Sequence, residues 1–465
     1  MMKSMVKREK LFRAGIAPEL AGRRVLVVGA AKTGVATANF LLGRGAVVTV
    51  TDRRDAGSLD AYLAGLHPRV ELELGGHRQE TFLSRDLTVP SPGVPMDDPL
   101  LATARGVGVP ILSEIELAYR FLPVPLVAVT GTNGKSTTVT ALGKVFEEAG
   151  ISVCVGGNLG NPLIGEVDGL KTAQMVVAEI SSFQLEWIES FRPRVAAILN
   201  VSEDHLDRYR SFEEYLRVKE RIFENQEPED HLVLNGDDHL VREAGTRASS
   251  SKVWFSRRTI PLQGVYLFRG WIYSRLGRGT GRKIMPVSEM LITGEHNWEN
   301  ALAVTAMALL GGASPADVRR ALGRFEGLPH RTQFVREKDG VRFYDDSKGT
   351  NVGAAARTLS GFQSPVVLIA GGRDKGGSYA PLFPLVREHA RCLVLTGEAS
   401  GRMARELEGA APIVRAGDMA VAVREAASAA RPGDTVLLSP ACSSFDQYQD
   451  YVQRGRHFQD EVRKL

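Results

Sequence analysis

Short, wholly apolar runs, each closed by a turn and followed by a stretch of helical period, recur along the chain. The first, VLVVG from Val25 to Gly29, passes through AAKTG into a segment with Ala36, Phe40 and Leu41 on one side, then returns as VVTVTD, Val47 to Asp52. A strand without a polar face is buried on both sides, the condition of a parallel sheet whose crossovers are helices. The same pattern predicts strands entering VPSPGV at Val89, at LVAVT from Leu126, in MVVAEIS around Val176 to Ser181, at VAAILNVS from Val195 and at HLVLNGDD from His231. Between Val253 and Leu291 the apolar positions become short and alternating, punctuated by Gly270, Gly277, Gly279 and Gly281, which predicts a small β appendage. A helix is expected from about Asn297 to Leu310 and another in ASPADVRRALGRF, with Ser314 as its N-cap. VVLIAGG, CLVLTGE and TVLLSPA then alternate with helical stretches to the end.

This organisation reads as α/β throughout, with mainly parallel sheets in three domains. The expected boundaries are 1–112 for an N-terminal Rossmann-like domain, 113–327 for a central P-loop ATPase-like domain and 328–465 for a C-terminal Rossmann-like domain. A chain of 465 residues is too long for one ordinary core, which agrees. The net charge of +4 is small for this size; it argues against a dedicated nucleic-acid binder and suits an enzyme with polyanionic ligands. Cys154, Cys392 and Cys442 have neither disulfide-framework nor zinc-ligand spacing, so a reducing cytoplasm is expected. No apolar run approaches the roughly 20 residues that span a bilayer, so no membrane association is expected. Lys3, Lys7, Arg8, Lys10 and Arg13 precede no apolar block of the kind that follows them in a secretory signal, so a frayed extension is expected there.

The strongest chemical signal is LVAVTGTNGKSTTVTALGKVF, Leu126 to Phe146. A buried strand runs into a glycine turn, then Lys-Ser-Thr, then a helix. Gly131 and Gly134 let backbone N–H groups of the Gly131-Thr132-Asn133-Gly134 turn point inward, the helix start adds its positive end, and Lys135 adds a full charge. Ser136 or Thr137 offers a hydroxyl to Mg2+. The generic phosphate-loop pattern asks for glycine five places before Gly134, where Val129 stands, so the loop is a variant. The first turn, Gly29-Ala30-Ala31-Lys32-Thr33-Gly34, has Ala31 where a dinucleotide fingerprint needs its middle glycine, which weakens a dehydrogenase reading. Its helix start suits a diphosphate, Asp52 suits a sugar hydroxyl or base edge, and Arg53 and Arg54 suit phosphate. On these residues alone, a nucleotide site and a plain structural unit both stay open.

Glu179 is the lone charge in a buried run and ends its strand near the loop, a natural Mg2+ ligand, with Ser181, Ser182 and Gln184 next in line to hold phosphate or orient the site. NVSEDHLDRY gathers Glu203, Asp204, His205 and Asp207 after another strand, and His205 there suits a metal or a substrate oxygen. Lys219, by itself, reads as a solvated charge.

GTNGKST, EISSFQLE, NVSEDHLDRY, VKERIFEN, GEHNWENALA, GLPHR, DDSKGTN, GGRDKG and SPACSSFDQY occur in the order found in the Mur ligase superfamily, which the chain resembles over essentially all its length beyond the first twenty or so residues and the variable β stretch. DSKGTN with SPACSSFDQY is most similar to the branch that adds D-glutamate to UDP-N-acetylmuramoyl-L-alanine. That resemblance implies ATP-dependent amide formation through an acyl phosphate in peptidoglycan precursor synthesis. It places the uridine diphosphate on Lys32, Thr33, Gly34, Asp52 to Arg54 and Ser91-Pro92-Gly93, and the muramoyl end near Asn158, Ser181, Gln184 and His205. It assigns Lys135, Glu179, His205 and Lys219 to catalysis, with Asn297 and Asn300 near adenine, Arg331 reaching ATP and Asp346 facing its ribose. Two Mg2+ ions are implied, at Ser136 and Glu179 and at His205, with Lys219 carbamylated to support the second. D-glutamate is implied at Lys348, Thr350, Lys375, Ser444, Phe445 and nearby Tyr451. Arg53 departs from the small residue expected there, which affects the uridine contact. The partners implied are these small molecules, with no nucleic acid and no membrane, and a monomer is expected. A related amide ligase for another amino acid, or for folate, and a non-catalytic nucleotide-binding regulator are the alternatives.

Overall fold

The computed structural model describes residues 18–205, 208–277, 281–292, 294–362 and 364–465. Asp207, Gly279 and the basic residues before position 14 lie outside them. The first sheet comprises β1 (Arg24–Val28), β2 (Val47–Asp52), β3 (Glu71–Leu74) and β4 (Leu87–Pro90), all parallel in the order β3-β2-β1-β4. Leu26 and Val28 of β1 pack with Phe82, Leu101, Ala104 and Val109 on one face.

The second sheet holds β5 (Leu126–Thr130), β6 (Val153–Gly157), β7 (Met175–Glu179), β8 (Val195–Ile198), β9 (His231–Asn235) and β10 (Ser251–Ser256), with β11 (Gly264–Phe268), β12 (Trp271–Arg275) and β13 (Arg282–Pro286). Its order is β13-β12-β11-β10-β9-β8-β5-β7-β6. The expected β appendage is therefore no separate body. β11 pairs in parallel with β10, and β12 and β13 add two antiparallel strands to the same edge. Alternation along these strands marks one covered and one wetter face, as an antiparallel edge permits. Helix 295–310 starts slightly earlier than expected, and Ser314 caps the helix Pro315–Arg324, its hydroxyl accepting from Asp317 N–H at 3.3 Å.

The third sheet comprises β14 (Gln333–Lys338), β15 (Val341–Asp345), β16 (Val366–Gly371), β17 (Ala390–Thr396), β18 (Ile413–Arg415) and β19 (Thr435–Leu438), in the order β14-β15-β19-β16-β17-β18. Only β14 runs antiparallel to its neighbour. Val366, Leu368 and Ala370 pack on one face, Val367 and Ile369 on the other, which is why the strand is apolar at every position. By contacts the chain forms two compact units. The first two sheets share one, made of the chain up to Val201 with 211–287 and 300–322; segments 202–210 and 288–299 join the third sheet and the chain from Gly323 in the other. Among the described residues no helix is long and apolar enough to cross a membrane.

Candidate active site

β5 ends at Thr130, and the chain turns through Gly131 (φ 150°) and Gly134 (φ 87°) into the helix Lys135–Glu148. These are conformations that side chains resist. A Cβ at Gly134 would also overlap the Asn300 amide, so Asn300 lies against the turn. The Lys135 ammonium donates to the carbonyl oxygens of Gly131 (2.8 Å) and Thr132 (3.0 Å), which holds its charge over the loop. Ser136 and Thr137 are buried in the first helical turn. Asn200, after β8, braces the loop three ways. Its Oδ1 accepts from Asn133 N–H (2.9 Å), its Nδ2 donates to Asn133 O (3.0 Å), and its own carbonyl accepts from Thr132 N–H (2.9 Å).

β7 pairs with β5 so that Glu179 stands opposite Val129, just short of the loop. Glu179 is 3% exposed, and its Oε1 accepts from Asn158 Nδ2 at 2.7 Å. Gly157, at φ 96°, leaves no room for a Cβ beside the Glu179 backbone. Mg2+ takes oxygen ligands and one or two carboxylates, so the Ser136 hydroxyl and Glu179 carboxylate are donors of the right chemistry beyond the carboxyl ends of the paired strands β5 and β7. Lys219 is 1% exposed rather than solvated. The helix Phe212–Glu220 carries it inward, where its ammonium donates to Gly131 O at 3.1 Å and lies 4.5 Å from the centroid of the Tyr215 ring. Ser181 and Gln184 form a capping box for the turn Ser182–Leu185, with Ser181 N–H and hydroxyl both donating to Gln184 Oε1.

In the first turn Gly34 has no space for a Cβ against the Gly29 carbonyl, which brings the helix Lys32–Gly43 close to β1. The Ser91 hydroxyl reaches the same carbonyl at 3.3 Å, so the Ser91-Pro92-Gly93 turn and the Lys32-Thr33-Gly34 turn meet. The Asp52 carboxylate accepts from Ala30 N–H (2.8 Å), Arg54 N–H (2.9 Å) and the Arg54 guanidinium (2.9 Å). Burial pushes Asp52 up, but Arg54 and the two N–H groups outweigh it and hold the carboxyl at about 2. Arg53 pairs with Asp98 at 2.7 Å. Both arginines keep substantial exposure, and Lys32 donates to Gly160 O at 2.8 Å.

In the other compact unit, His205 (φ 55°) follows Asp204, whose Oδ2 accepts from Asn351 Nδ2 at 3.1 Å. Asn297 and Arg331 line one cleft of about 750 Å3 with His296, Phe334 and Tyr344, a volume suited to a small ligand. Asp346 lies beneath Thr332 and Thr358 of that cleft. Buried, it accepts from the hydroxyls of Ser439 (2.8 Å) and Thr358 (2.9 Å) and from Thr332 N–H (3.2 Å). Burial raises its carboxyl to about 6 against these bonds and the nearby Arg331 charge.

The remaining candidates follow three neighbouring strands. Lys348 and Thr350 come after β15, Lys375 after β16, and Ser444 and Phe445 after β19, all at carboxyl ends, where open parallel sheets bind ligands. The Lys348 ammonium lies 5.2 Å from the Tyr451 ring centroid. Ser444 is buried, Lys375 is exposed, and Phe445 is 62% exposed. Asp374 fixes the loop bearing Lys375 by pairing with Arg402 at 3.0 Å.

Residues 23–113 match the family model for Mur ligase MurD-like N-terminal domains, 129–308 the Mur ligase middle domain, and 330–442 the Mur ligase glutamate ligase domain. Over 96% of its length the chain is 49% identical to the UDP-N-acetylmuramoylalanine--D-glutamate ligase of Geobacter metallireducens, 98% of which is covered. The chain belongs to the Mur ligase family. A protein of the same name from Pelobacter propionicus is 50% identical over 96% of this chain and 100% of that one. Among solved structures, a pseudomurein peptide ligase type C from Methanothermus fervidus superposes with a TM-score of 0.60 at 18% identity, covering 95% of this Mur ligase and 100% of that chain. The likeness at that identity is one of fold. Motif reading of this Mur ligase missed Asn200 and Tyr215. An Asn closing the apolar run VAAILN, and an aromatic one helical turn before Lys219, were the signals that could have found them.

Proposed function

We propose that this Mur ligase joins D-glutamate to the alanine carboxylate of UDP-N-acetylmuramoyl-L-alanine with cleavage of ATP to ADP and phosphate, in peptidoglycan precursor synthesis. The observation that carries this is near full-length identity of about half to relatives of that name, with the loop and Glu179 at the carboxyl ends of the paired strands β5 and β7 and Lys219 bonded to the loop. The alanine carboxylate oxygen attacks the γ-phosphorus and ADP leaves; the amine of D-glutamate attacks the acyl carbon, gives up a proton, and phosphate departs. Both steps concentrate negative charge on oxygen, so catalysis rests on positioning and on fixed positive groups.

Lys135 and the positive end of the helix it opens hold the ATP phosphates, and Ser136, Thr137 and Asn300 border them. Ser136 and Glu179 hold Mg2+, which when bound neutralises phosphate charge. A carbamate on Lys219, formed by its amine on carbon dioxide with loss of a proton, would supply a carboxylate in place of a cation, a ligand suited to a second Mg2+; in the other unit, His205 is an imidazole suited to a metal or a substrate oxygen. In the other compact unit, Asn297 and Arg331 line a cleft of a size for an adenine nucleotide, with Asp346 bracing Thr332 beneath. The diphosphate of the UDP substrate lies across Lys32-Thr33-Gly34 and Ser91-Pro92-Gly93, with Arg53 and Arg54 beside it. Asn158, Ser181 and Gln184 border its muramoyl end. D-glutamate lies against Lys348, Thr350, Ser444, the Phe445 backbone and Tyr451, with Lys375 on its side-chain carboxylate. The enzyme works as a cytoplasmic monomer in three domains, bounded near 112 and 327.

Phosphate release from ATP with Mg2+ and UDP-N-acetylmuramoyl-L-alanine tests this directly, comparing D-glutamate with L-glutamate, L-lysine, meso-diaminopimelate and no amino acid. Release with D-glutamate alone is expected. Release with another amino acid moves the chain to a different branch, and none at all removes the ligase reading.

A further inference from the structure

Arg454 lies in the first turns of the C-terminal helix Tyr451–Lys464 and is 2% exposed. Its guanidinium makes four hydrogen bonds, all to neutral oxygens: Nε to Ser347 Oγ (3.0 Å), Nη1 to Ser443 O (3.1 Å), and Nη2 to Ser347 O (2.8 Å) and Cys442 O (3.1 Å). No carboxylate among the described residues pairs with it; Asp345 and Asp446 act on it only through space. Buried cations are ordinarily paired, because desolvation of the charge is otherwise uncompensated. Burial here is strong enough to bring the guanidinium down to about 10, still charged at neutral pH.

The oxygens it gathers belong to two loops. Ser347 precedes Lys348 and Thr350 after β15, and Cys442 and Ser443 precede Ser444 and Phe445 after β19. Ser347 Oγ donates onward to Tyr451 O at 2.8 Å, and Arg373 N–H donates to Ser443 O at 2.9 Å, which ties in the loop of Lys375. A Cβ at Gly372 would overlap the Ser443 carbonyl and stand 3.0 Å from Arg454 Nη1, so glycine is required for this close approach.

We propose that Arg454 is a positioning residue for the incoming amino acid: its planar fork locks the loops after β15 and β19 into one wall and supplies a fixed positive charge behind it. This rests on the assignment of those loops to D-glutamate. A dicarboxylic amino acid is the ligand such a wall favours, since an un-neutralised buried cation gains from an anion held near it. Lysine in its place keeps the charge but cannot make the planar multidentate contact.

The test is steady-state kinetics of Arg454→Lys in the full-length enzyme, with KM measured separately for D-glutamate, ATP and UDP-N-acetylmuramoyl-L-alanine, beside Lys348→Ala. Loss of two or more charge-assisted bonds is expected to raise KM for D-glutamate about tenfold or more, with the other two KM values within about twofold. An even change in all three, or none, overturns the proposal. If Lys348→Ala leaves the KM for D-glutamate unchanged, the assignment of the loops fails and the proposal with it. If Lys348→Ala raises that KM and Arg454→Lys does not, the proposal alone fails. Should Arg454→Lys not fold, Ser347→Ala decides in its place. It removes the acceptor of Arg454 Nε and the hydroxyl's own bond to Tyr451 O while keeping the guanidinium, and a rise of about threefold or more confined to the D-glutamate KM is expected; no rise overturns the proposal.

Discussion

Glu114, at the start of the helix Glu114–Arg120, shows how one buried side chain makes stability depend on pH. Its Oε1 accepts from Ile164 N–H at 2.7 Å, and burial pushes its carboxyl up to about 7, against bonds from Ile164, Gln184 and Leu163 that favour the anion. Asp346 is raised to about 6 for the same reason. The folded chain therefore keeps protons that the unfolded chain releases near pH 4, so this contribution is whole below that pH and is lost as pH rises toward 7. Glu114→Gln should gain on the parent enzyme between pH 5 and pH 8, by on the order of 3 kcal/mol at the upper end. Urea midpoints at both pH values measure it, and a pH-independent difference would remove burial as the cause. The sequence marked Glu179 because it was the lone charge in an apolar strand. Glu114 carries no such mark, since its burial comes from segments about 50 and 70 residues away.

At the scale of elements, the turn after β6 and the cap after β7 set the position of Glu179. Gly157→Ala places a Cβ where φ is 96° and the Glu179 backbone already stands, and should cost about 1–3 kcal/mol while lowering kcat. Thermal melts and turnover of that variant check both; a stable, fully active protein would show that the strand end tolerates displacement. Ser181→Ala removes a capping box and should cost about 1 kcal/mol. A rise in KM for the UDP substrate beyond that of ATP would mark Ser181 as a ligand contact as well as a cap. Element type was legible wherever apolar runs were long or glycine turns followed them. The strands between Val253 and Leu291 were legible as strands, but their place was not, because period-2 alternation reports a wet face without saying which sheet the strand joins.

For the whole molecule, the separation of nucleotide loops predicts a division of labour. Lys135→Ala should lower turnover by about a hundredfold or more, the scale of losing a charge aimed at the transferring phosphoryl group, while calorimetric binding of the UDP substrate stays unchanged. Equal loss of both would mean that the two sites are not separate. By itself the sequence determined the alternation of strand and helix, the phosphate-binding loop and the order of motifs that marks the family, because apolar period, glycine and lysine act over neighbouring residues. The tertiary structure decided the rest. It turned Lys219 from a solvated charge into a buried neighbour of Gly131, spent Asp52 on Arg54, buried Asp346 under Thr358 and Ser439, and set Arg454 behind two loops more than 10 and 100 residues away. Burial and long-range hydrogen bonding fix those roles, and both arise only when distant segments pack together.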